Sequence, residues 1–590
     1  MMVMYYTRDK HKRFLDKELT AISDSYLRSL NTRALTLLDS HEVYVTQYAK
    51  LNFKEHDEET DGKDFGSGQL MLRLRKDKGI PRKNEYFTAV ILEKDLCLPR
   101  NWGDITWGRL RAHQVEFSEV RCVWQGQTDD NGFLLCGFSG LSLEMARFLI
   151  NHHLQHCVIV LGPKEPPIDY YRNLISIVNN SLPNHPANKL LDFDLRETTW
   201  CPEEINSNGL QVDKIVASLD SCSQLIFQGP PGTGKTHLMA AIVARLIAKN
   251  KSVLVTALTH RALIELAQKD SLRQALAEKK VQKTNVSAEE LIACKNLLPI
   301  EGKQITCTPG SVTLSTFYNA SGWAITSYEE QPFDYVIMDE ASQALFGMIA
   351  ACKNLGKRII WIGDQNQMQP IILQSEEALS RNGYGMLANG FQTLCDNFPF
   401  KSYILTQSYR LLPNAAALTS LFYHTPILSA ANFDYCMDFN RLTFAPKQGG
   451  SSLLLTAMPM GEQANPTCCA YAIDIVAQIL SCHPKITIAV LSKFRATVRM
   501  LQHCFVNQFG EHDNVLIDTV ERVQGMTCDV CLYYIPNTML NMSLEKSLFN
   551  VATSRAKQLT LIIADQSILS TTCDSAVATY LQKISATTIK

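Results

Sequence analysis

The sequence lacks a long uninterrupted apolar run. A membrane-spanning helix needs about 20 mostly apolar residues, and no stretch of this chain approaches that length. Residues 1–6 are closely followed by the charged Arg8, Asp9 and Lys10, which leaves no apolar core for a secretory signal. We therefore expect a cytoplasmic protein with no membrane partner.

Clustered metal ligands are also scarce. The 18 cysteines are scattered, and Cys528 and Cys531 form the only C-x-x-C pair. This pair lies in an apolar run typical of a strand, and no second Cys or His pair is nearby to complete a zinc site. In a reducing compartment most of these cysteines should be buried thiols.

An excess of charge of one sign is absent as well. The chain has 57 Lys and Arg residues against 58 Asp and Glu residues, for a formal net charge of −1. This balance excludes a uniformly basic surface, so a nucleic-acid partner would have to occupy a local channel. The 590 residues exceed what one hydrophobic core supports, which predicts several domains.

What is present begins with an amino-terminal region of mixed texture. Residues 1–41 have apolar positions at helical spacing, and residues 42–140 have the pattern of short strands, with a hairpin turn predicted at Asn131 and Gly132. Residues 141–202 return to a helical pattern. We predict a helical lead-in, a small β-rich barrel and a helical stalk or linker.

Apolar strands alternate with helices from about residue 203 onward, which indicates parallel sheets of the α/β class. We predict two such domains in tandem, over residues 203–398 and 399–590, with a small insertion at about 263–310. The predicted strands are 225–228, 253–256, 335–338, 358–362, 486–491, 530–534 and 559–564.

A glycine-rich loop follows the first of these strands. Residues 229–236 match the pattern G-x-x-x-x-G-K-[ST] and open a predicted helix at 237–248, the setting that a phosphate loop requires. Lys235 would reach the β- and γ-phosphates, and Thr236 would bind Mg²⁺. The residues predicted to bind ATP here are Gly229, Pro230, Pro231, Gly232, Thr233, Gly234, Lys235, Thr236 and His237.

Two acids end another predicted strand. Ligands bind at the carboxyl ends of parallel strands, so Asp339 and Glu340 should lie beside the phosphate loop. Asp339 would hold Mg²⁺, and Glu340 would orient and deprotonate the attacking water. An exposed acidic turn would be the ordinary interpretation of such a pair in a chain without Lys235.

These motifs resemble those of superfamily 1 helicases, in the branch of the nonsense-mediated-decay (Upf-like) helicases. The loop at 229–236 and the run DEASQ at 339–343 carry the resemblance, which extends over about residues 203–566. It implies two RecA-like domains preceded by a helical stalk and a β-barrel, and an ATP hydrolase that works on single-stranded nucleic acid.

The resemblance also implies roles for residues outside the phosphate loop. Gln367 would sense the γ-phosphate, with Asp364 near Mg²⁺, and Arg410 and Arg555 would reach the phosphates from the second domain. Gln211 would read the adenine. The remaining residues implied in nucleotide contact are Tyr409 and Gly525, and those implied in nucleic-acid contact are Thr259, His260, Thr316 and Gln524.

Several of these positions also have ordinary structural interpretations. A surface glutamine such as Gln211 is commonplace, Thr259 suits a helix N-cap, and a lone arginine often forms a surface salt bridge. The chain departs from the family at Thr527, where many relatives have a glutamate that contacts the ribose. This departure leaves the preference among nucleotides open.

The function predicted from these motifs is an ATP-dependent helicase or translocase, moving 5′→3′ by resemblance, with ATP and Mg²⁺ as cofactors. The alternative is an ATP-controlled clamp or ribonucleoprotein remodeller that does not unwind duplexes. A P-loop kinase would lack the second sheet and the two distant arginines. RNA and DNA both stay open as the track, and we expect a monomer.

The amino-terminal region offers possible duplex contacts, although core packing and a solvated charged edge explain such residues more simply. These residues are Trp102, Trp107, Trp124, Arg73, Arg75 and Lys76.

Overall fold

The computed structural model describes most of the chain. The described residues are 6–32, 36–37, 43–45, 70–75, 81–93, 104–128, 132–151, 157–180, 182, 184–192, 200–206, 209–433, 437–510, 512 and 514–588. Across these ranges, every helix is too short or too polar to cross a membrane.

Antiparallel strands and flanking helices make up the amino-terminal region. Its elements are α1 (Arg8–Thr32), β1 (Thr36–Leu37), β2 (Val43–Val45), β3 (Leu70–Arg75), β4 (Tyr86–Glu93), α2 (Asp104–Ala112), β5 (Gln114–Thr128), β6 (Phe133–Ser139), α3 (Leu143–Asn151), β7 (Cys157–Pro163), α4 (Ile168–Asn179) and α5 (Asn188–Leu191). The strands form one sheet in the order β1-β7-β4-β5-β6-β3-β2. The predicted hairpin is confirmed, since β5 and β6 pair antiparallel.

Two predictions for this region were wrong. The stretch predicted as helical between residues 141 and 202 contains β7, which pairs with both β1 and β4. The run Val158, Ile159 and Val160 in this strand consists of β-branched residues, which favour strands. A short apolar run shows no clear periodicity, so its pattern alone does not distinguish a strand from a helix. The amino-terminal helix ends at Thr32, well before residue 41.

Closure of this sheet into a barrel stays a prediction, because β1 and β2 end the strand order of the described residues. Of the possible duplex contacts, Trp107 is buried in the core and Trp124 is half-buried. Arg73 and Arg75 lie on β3, while Trp102 and Lys76 lie outside the described residues.

A nine-stranded parallel sheet forms the first of the two α/β domains. Its order is β12-β11-β13-β10-β14-β15-β9-β16-β8. The elements are β8 (Glu203–Ile205), α6 (Gly209–Ser221), β9 (Gln224–Gln228), α7 (Lys235–Ala248), β10 (Val253–Ala257), α8 (His260–Ala267), α9 (Arg273–Ala277), β11 (Val281–Thr284), α10 (Ala288–Ala293), β12 (Leu298–Ile300), β13 (Val312–Thr316), α11 (Phe317–Thr326), β14 (Phe333–Met338), α12 (Phe346–Leu355), β15 (Gly356–Gly363), α13 (Glu376–Asn382), α14 (Gly385–Ala388), α15 (Gly390–Asn397) and β16 (Lys401–Leu405).

The first sheet extends past the predicted domain boundary at residue 398. Strand β16 pairs with β9 on one side and β8 on the other. The boundary was set too early because a strand that closes one sheet and a strand that opens the next have the same apolar pattern.

A six-stranded parallel sheet forms the second α/β domain, in the order β21-β20-β22-β23-β19-β24. The elements are β17 (Gln407–Ser408), α16 (Pro413–Thr419), β18 (Leu428–Ser429), β19 (Gly450–Leu455), α17 (Pro466–Cys482), β20 (Ile488–Ser492), α18 (Arg495–Phe509), β21 (Val515–Thr519), β22 (Cys528–Ile535), α19 (Leu540–Ser543), α20 (Lys546–Thr553), β23 (Ala556–Ala564), α21 (Ser575–Lys583) and β24 (Ser585–Thr588).

Both parallel sheets are buried on their two faces, as crossover helices require. Successive residues of a strand point to opposite faces, so Leu254 packs in one core cluster and Val255 in another. The same alternation separates Leu453 from Leu454 in the second sheet. This layering holds the carboxyl ends of the strands at a single edge of each sheet.

Candidate functional site

The phosphate loop begins where β9 ends and turns into α7 at Lys235. Gly232 and Gly234 have φ angles of 73° and 81°, a region that strains any residue with a Cβ. A Cβ on Gly232 would overlap the Arg410 side chain and lie 2.7 Å from Ser408 Oγ. Glycine therefore permits both the curl of this loop and the close approach of the second domain.

Lys235 folds back over the loop that precedes it. Its ammonium donates to the Gly229 carbonyl and, at 3.4 Å, to the Pro230 carbonyl. Thr233 Oγ1 donates to the same Pro230 carbonyl at 2.8 Å, and the Gly229 N–H donates to the Gly363 carbonyl at 3.0 Å. These bonds preform the loop and join it to the end of β15.

Asp339 and Glu340 follow β14, at the same edge of the sheet as the loop. Glu340 has a φ of 52°, an uncommon conformation for a residue other than glycine, and its N–H donates to Asp339 Oδ1 at 2.9 Å. Burial raises the pKa of the Asp339 carboxyl to about 6. Burial, and then the neighbouring Asp339, raise the pKa of Glu340 to about 8.

Asp364 follows β15 and gathers donors from both domains. It accepts from Gln367 Nε2 at 2.8 Å and from Tyr423 Oη at 2.7 Å. Asn550 Nδ2 donates to Tyr423 Oη at 3.0 Å and to the Asn366 carbonyl at 2.7 Å. Because Tyr423 and Asn550 belong to the second domain, the loop that carries Gln367 is bonded across the cleft.

The second domain meets the phosphate loop along residues 408–410. The Tyr409 N–H donates to the Gly232 carbonyl at 2.8 Å, and Ser408 Oγ donates to the Pro231 carbonyl at 3.1 Å. The Arg410 guanidinium donates to the Ser554 carbonyl at 3.4 Å. These contacts place Arg410 directly above the loop.

Arg555 is the second arginine that the second domain places at the cleft between the two domains, where it forms one wall, and only 2% of Arg555 is exposed. It donates to the Val551 carbonyl at 2.8 Å, to Ser554 Oγ at 3.2 Å and to the Met526 carbonyl at 3.4 Å. These acceptors are neutral, so among the described residues no carboxylate forms an ion pair with this buried positive charge.

The charges of the two domains act on one another in this cleft. Burial lowers the pKa of Lys235, opposed by Asp364 and Asp339, while Arg410 and Arg555 lower it further. Burial, and then Arg555, lower the pKa of Arg410 to about 9. Burial likewise lowers the pKa of Arg555 and raises that of Asp364. Every charged group is thus desolvated, an arrangement that a bound polyanion and a cation would compensate.

The residues present fit a nucleoside triphosphate with a divalent cation. Glycine at 232 keeps open a cradle that a Cβ would fill, and the helix N-terminus behind it favours phosphate. Glu340 Oε2 is buried with no hydrogen-bond partner among the described residues. Thr236 and Asp339 would supply oxygen donors, the type that Mg²⁺ prefers, and their role as its ligands stays a prediction.

The predicted nucleic-acid contacts of the first domain also share one edge. Thr259 caps α8 by accepting the Ala262 N–H, so its N-cap interpretation is confirmed. Thr316 ends β13, which pairs with β10. His260 Nδ1 lies 2.8 Å from the ammonium of Lys283, which can only donate, so this ring nitrogen accepts.

The other predicted contacts are more dispersed. Gln211 lies in the first turn of α6 and is half-buried, and His237 is exposed on the first turn of α7. Tyr409 is 44% exposed, which leaves its ring free to stack on a base. Gly525 has a φ of 81°, and the neighbouring Gln524 has a buried Oε1. The functional roles of these residues stay predictions.

Sequence reasoning missed three residues of the site. Tyr423 has no motif around it, and Asn550 lies shortly before Arg555 in the chain without a pattern that marks it. Lys283 is fully buried, with its ammonium 2.8 Å from Glu290. A lysine in the otherwise buried strand β11 was the available signal for it.

Two family models match the chain, and both are described as an AAA domain. One covers residues 208–375 and the other covers residues 388–567.

Curated relatives match over parts of the same region. The DNA replication ATP-dependent helicase/nuclease DNA2 of Saccharomyces cerevisiae is 26% identical over 408 residues, which cover 61% of this chain and 25% of that protein. The helicase sen1 of Schizosaccharomyces pombe is 23% identical over 314 residues, covering 50% of this chain and 18% of that protein. The chain therefore spans about a quarter or less of the length of these relatives.

Among solved structures, an arterivirus nonstructural protein 10 (helicase) aligns with 14% sequence identity and a TM-score of 0.36. The alignment covers 85% of this chain and 78% of the arterivirus chain.

Proposed function

We propose that this chain, which carries two AAA-type helicase domains and is homologous to the superfamily 1 helicases DNA2 and sen1, is an ATP-driven motor. Its substrate would be single-stranded nucleic acid, and its two RecA-like domains would close on ATP and Mg²⁺ at their cleft. Movement would run 5′→3′, and the amino-terminal region would serve as the stalk and barrel of the nonsense-mediated-decay branch.

One observation carries this proposal: the side chains predicted to contact phosphate come from both domains and lie in one cleft. Lys235, Asp339 and Asp364 come from the first domain, and Arg410 and Arg555 come from the second. A Cβ on Gly232 would overlap Arg410, which shows how closely the two domains approach each other at the phosphate loop. A single-domain kinase has no such second wall.

Each residue has a defined chemical task in this proposal. Lys235 and the loop N–H groups bind phosphate oxygens, and Thr236 with Asp339 would hold Mg²⁺, which supplies electrostatic stabilisation of the phosphates when bound. Glu340 orients the attacking water and, in its ionised form, accepts the proton of that water, since its buried Oε2 has no hydrogen-bond partner among the described residues. Arg410 and Arg555 stabilise charge that develops in the transition state.

Movement requires that hydrolysis change the contact between the domains. Asp364 and Asn366 provide that coupling, since both are bonded to the second domain through Tyr423 and Asn550. A change at Gln367, which donates to Asp364, would reach the second domain through the same carboxylate. The domains could then alternate their grip on the strand.

The test is ATP hydrolysis by the full chain with and without single-stranded DNA or RNA, beside Glu340→Gln. DNA is the first track to test, because the relatives named DNA2 are DNA replication enzymes. We expect strong stimulation by one polymer and its loss in Glu340→Gln. Hydrolysis that neither polymer stimulates would contradict the motor, and stimulation without unwinding of a tailed duplex would favour the clamp.

A further inference from the structure

The segment between β15 and α13 is held at both of its ends. It covers residues 364–375 without helix or strand, and it begins with Asp364 and Gln367 in the cleft. At its far end, the backbone N–H groups of Leu373 and Gln374 donate to the carboxylate of Glu18, at 2.6 and 3.2 Å. Glu18 lies on α1, more than 340 residues earlier in the chain.

The Glu18 carboxylate is fully buried, with 0% of the residue exposed. Besides the two backbone donors, Gln374 Nε2 donates to it at 3.1 Å and to the Phe14 carbonyl at 3.2 Å. Hydrogen bonds to an ionised acceptor are among the stronger ones in proteins. Removal of the carboxylate would leave two backbone donors without their acceptor, which is costly in a buried site.

Apolar packing holds this end of the segment at one side chain. Ile371 is 75% exposed and Leu373 is 48% exposed, while Ile372 is half-buried and packs against the core of the first domain. An irregular segment of this length has many accessible conformations, and fixing each residue costs entropy. Packing of Ile372 leaves the backbone N–H groups of residues 373 and 374 to be oriented by Glu18, which accepts from both.

Helix α1 connects this contact to a distant region. Its 25 residues span about 37 Å at about 1.5 Å per residue. Near its start, Phe14 packs on Tyr384, with ring centroids 5.4 Å apart. Near its end, Leu30 is buried in a cluster with Val90 and Trp107 of the antiparallel region. One rigid helix thus contacts both the cleft segment and the amino-terminal sheet.

We propose that Glu18 is a positioning residue for ATP hydrolysis: it fixes the far end of the 364–375 segment so that Asp364 and Gln367 keep their place against the second domain. The inference rests on the proposed ATP hydrolysis. The hydrogen bonds of Glu18 go to residues 373 and 374, so it acts on the turnover step through this segment and not on ATP binding, which depends on the phosphate loop.

The experiment compares Glu18→Ala with Asp24→Asn in the full chain. Asp24→Asn removes the same charge from an exposed position of the same helix. We expect Glu18→Ala to lower the kcat of stimulated hydrolysis about 10- to 100-fold, the scale of a small misplacement of reacting groups. The KM for ATP should change less than about twofold, since binding is not affected. Glu18→Gln keeps one acceptor oxygen and should fall between Glu18→Ala and the wild type.

A second measurement does not depend on hydrolysis, and it still tests the proposal if Glu18→Ala folds poorly. Amide hydrogen exchange of residues 364–374 is followed in the wild type and in Glu18→Gln, with and without Mg²⁺ and a non-hydrolysable ATP analogue. We expect faster exchange in Glu18→Gln, and weaker protection by the analogue at residues 364–368. Equal exchange in both proteins, or a change in KM with kcat intact, would overturn the proposal. An inactive wild type would instead contradict the proposed function.

Discussion

The two parallel-sheet domains bring different sets of charged groups to the same cleft. The first domain contributes carboxylates at strand ends, and burial raises the pKa of Asp339, Glu340 and Asp364. The second domain contributes guanidinium groups, and burial lowers the pKa of Arg410 and Arg555. Burial therefore opposes the charged form of these groups in both domains, and the first domain adds one cation, Lys235, whose pKa burial also lowers.

The difference also lies in how each wall is built. The carboxylates of the first domain stand directly after strands, so sheet topology places them. The arginines of the second domain depend on side-chain bonds to carbonyl groups, such as that of Arg555 to Val551. We therefore expect the second wall to be more sensitive to the removal of a single side chain.

The largest expected effect is that of Arg555→Ala. Arginines that reach the phosphates of related NTPases contribute about 10³–10⁵ in rate, so kcat for stimulated hydrolysis should fall by that factor. The control is Arg441→Ala, whose side chain is 63% exposed in the same domain. Thermal unfolding of both variants separates loss of catalysis from loss of fold, and a fall in kcat of less than about tenfold would contradict the role of Arg555.

Gly232→Ala tests the contact between the walls. The added Cβ would overlap Arg410, so the walls must separate, and we expect kcat/KM to fall about 10²-fold. Gly461→Ala is the matched control, because Gly461 has a φ of 82° with open space at its Cβ position. If both variants lose activity equally, backbone strain and not the approach of the domains is responsible.

Tyr423→Phe removes one hydroxyl that joins the walls. The hydrogen bond to the charged Asp364 should contribute about 1.5–3 kcal/mol to stability, and we also expect weaker stimulation by nucleic acid. Tyr580→Phe removes a buried hydroxyl that bonds Ser451 inside the second domain. Urea unfolding should show a lower free energy of unfolding in both variants, whereas the rate of stimulated ATP hydrolysis should fall only in Tyr423→Phe.

The smallest effect concerns a buried base outside the cleft. Burial, and then Arg8, lower the pKa of His11 from 6.5 to about 3. Between these values the unfolded chain binds a proton that the folded chain does not, so stability falls as the pH falls below about 6.5. His11→Gln should flatten this dependence by up to about 1.4 kcal/mol per pH unit, measured by urea unfolding at about pH 7 and pH 5. An unchanged slope would exclude His11 as the cause.

The sequence predicted those parts of the cleft that depend on local pattern. The phosphate loop, the acids after β14 and the predicted strands follow from glycine spacing and apolar runs, and the structure brings Lys235, Asp339, Asp364, Arg410 and Arg555 together. The contacts of Tyr423 with Asp364 and of Glu18 with residues 373–374 join positions far apart in the chain. No local pattern marks such pairs, since either member alone is an ordinary tyrosine or glutamate.

The position of β16 decides how the molecule can be divided. A fragment that ends at residue 398 would lack the strand between β9 and β8, and the backbone groups along one side of β9 would be exposed. Unpaired strand edges promote self-association, so such a fragment should precipitate or oligomerise. A fragment that continues through Leu405 keeps that side of β9 paired with β16. It is therefore the unit with which the first domain can be studied alone.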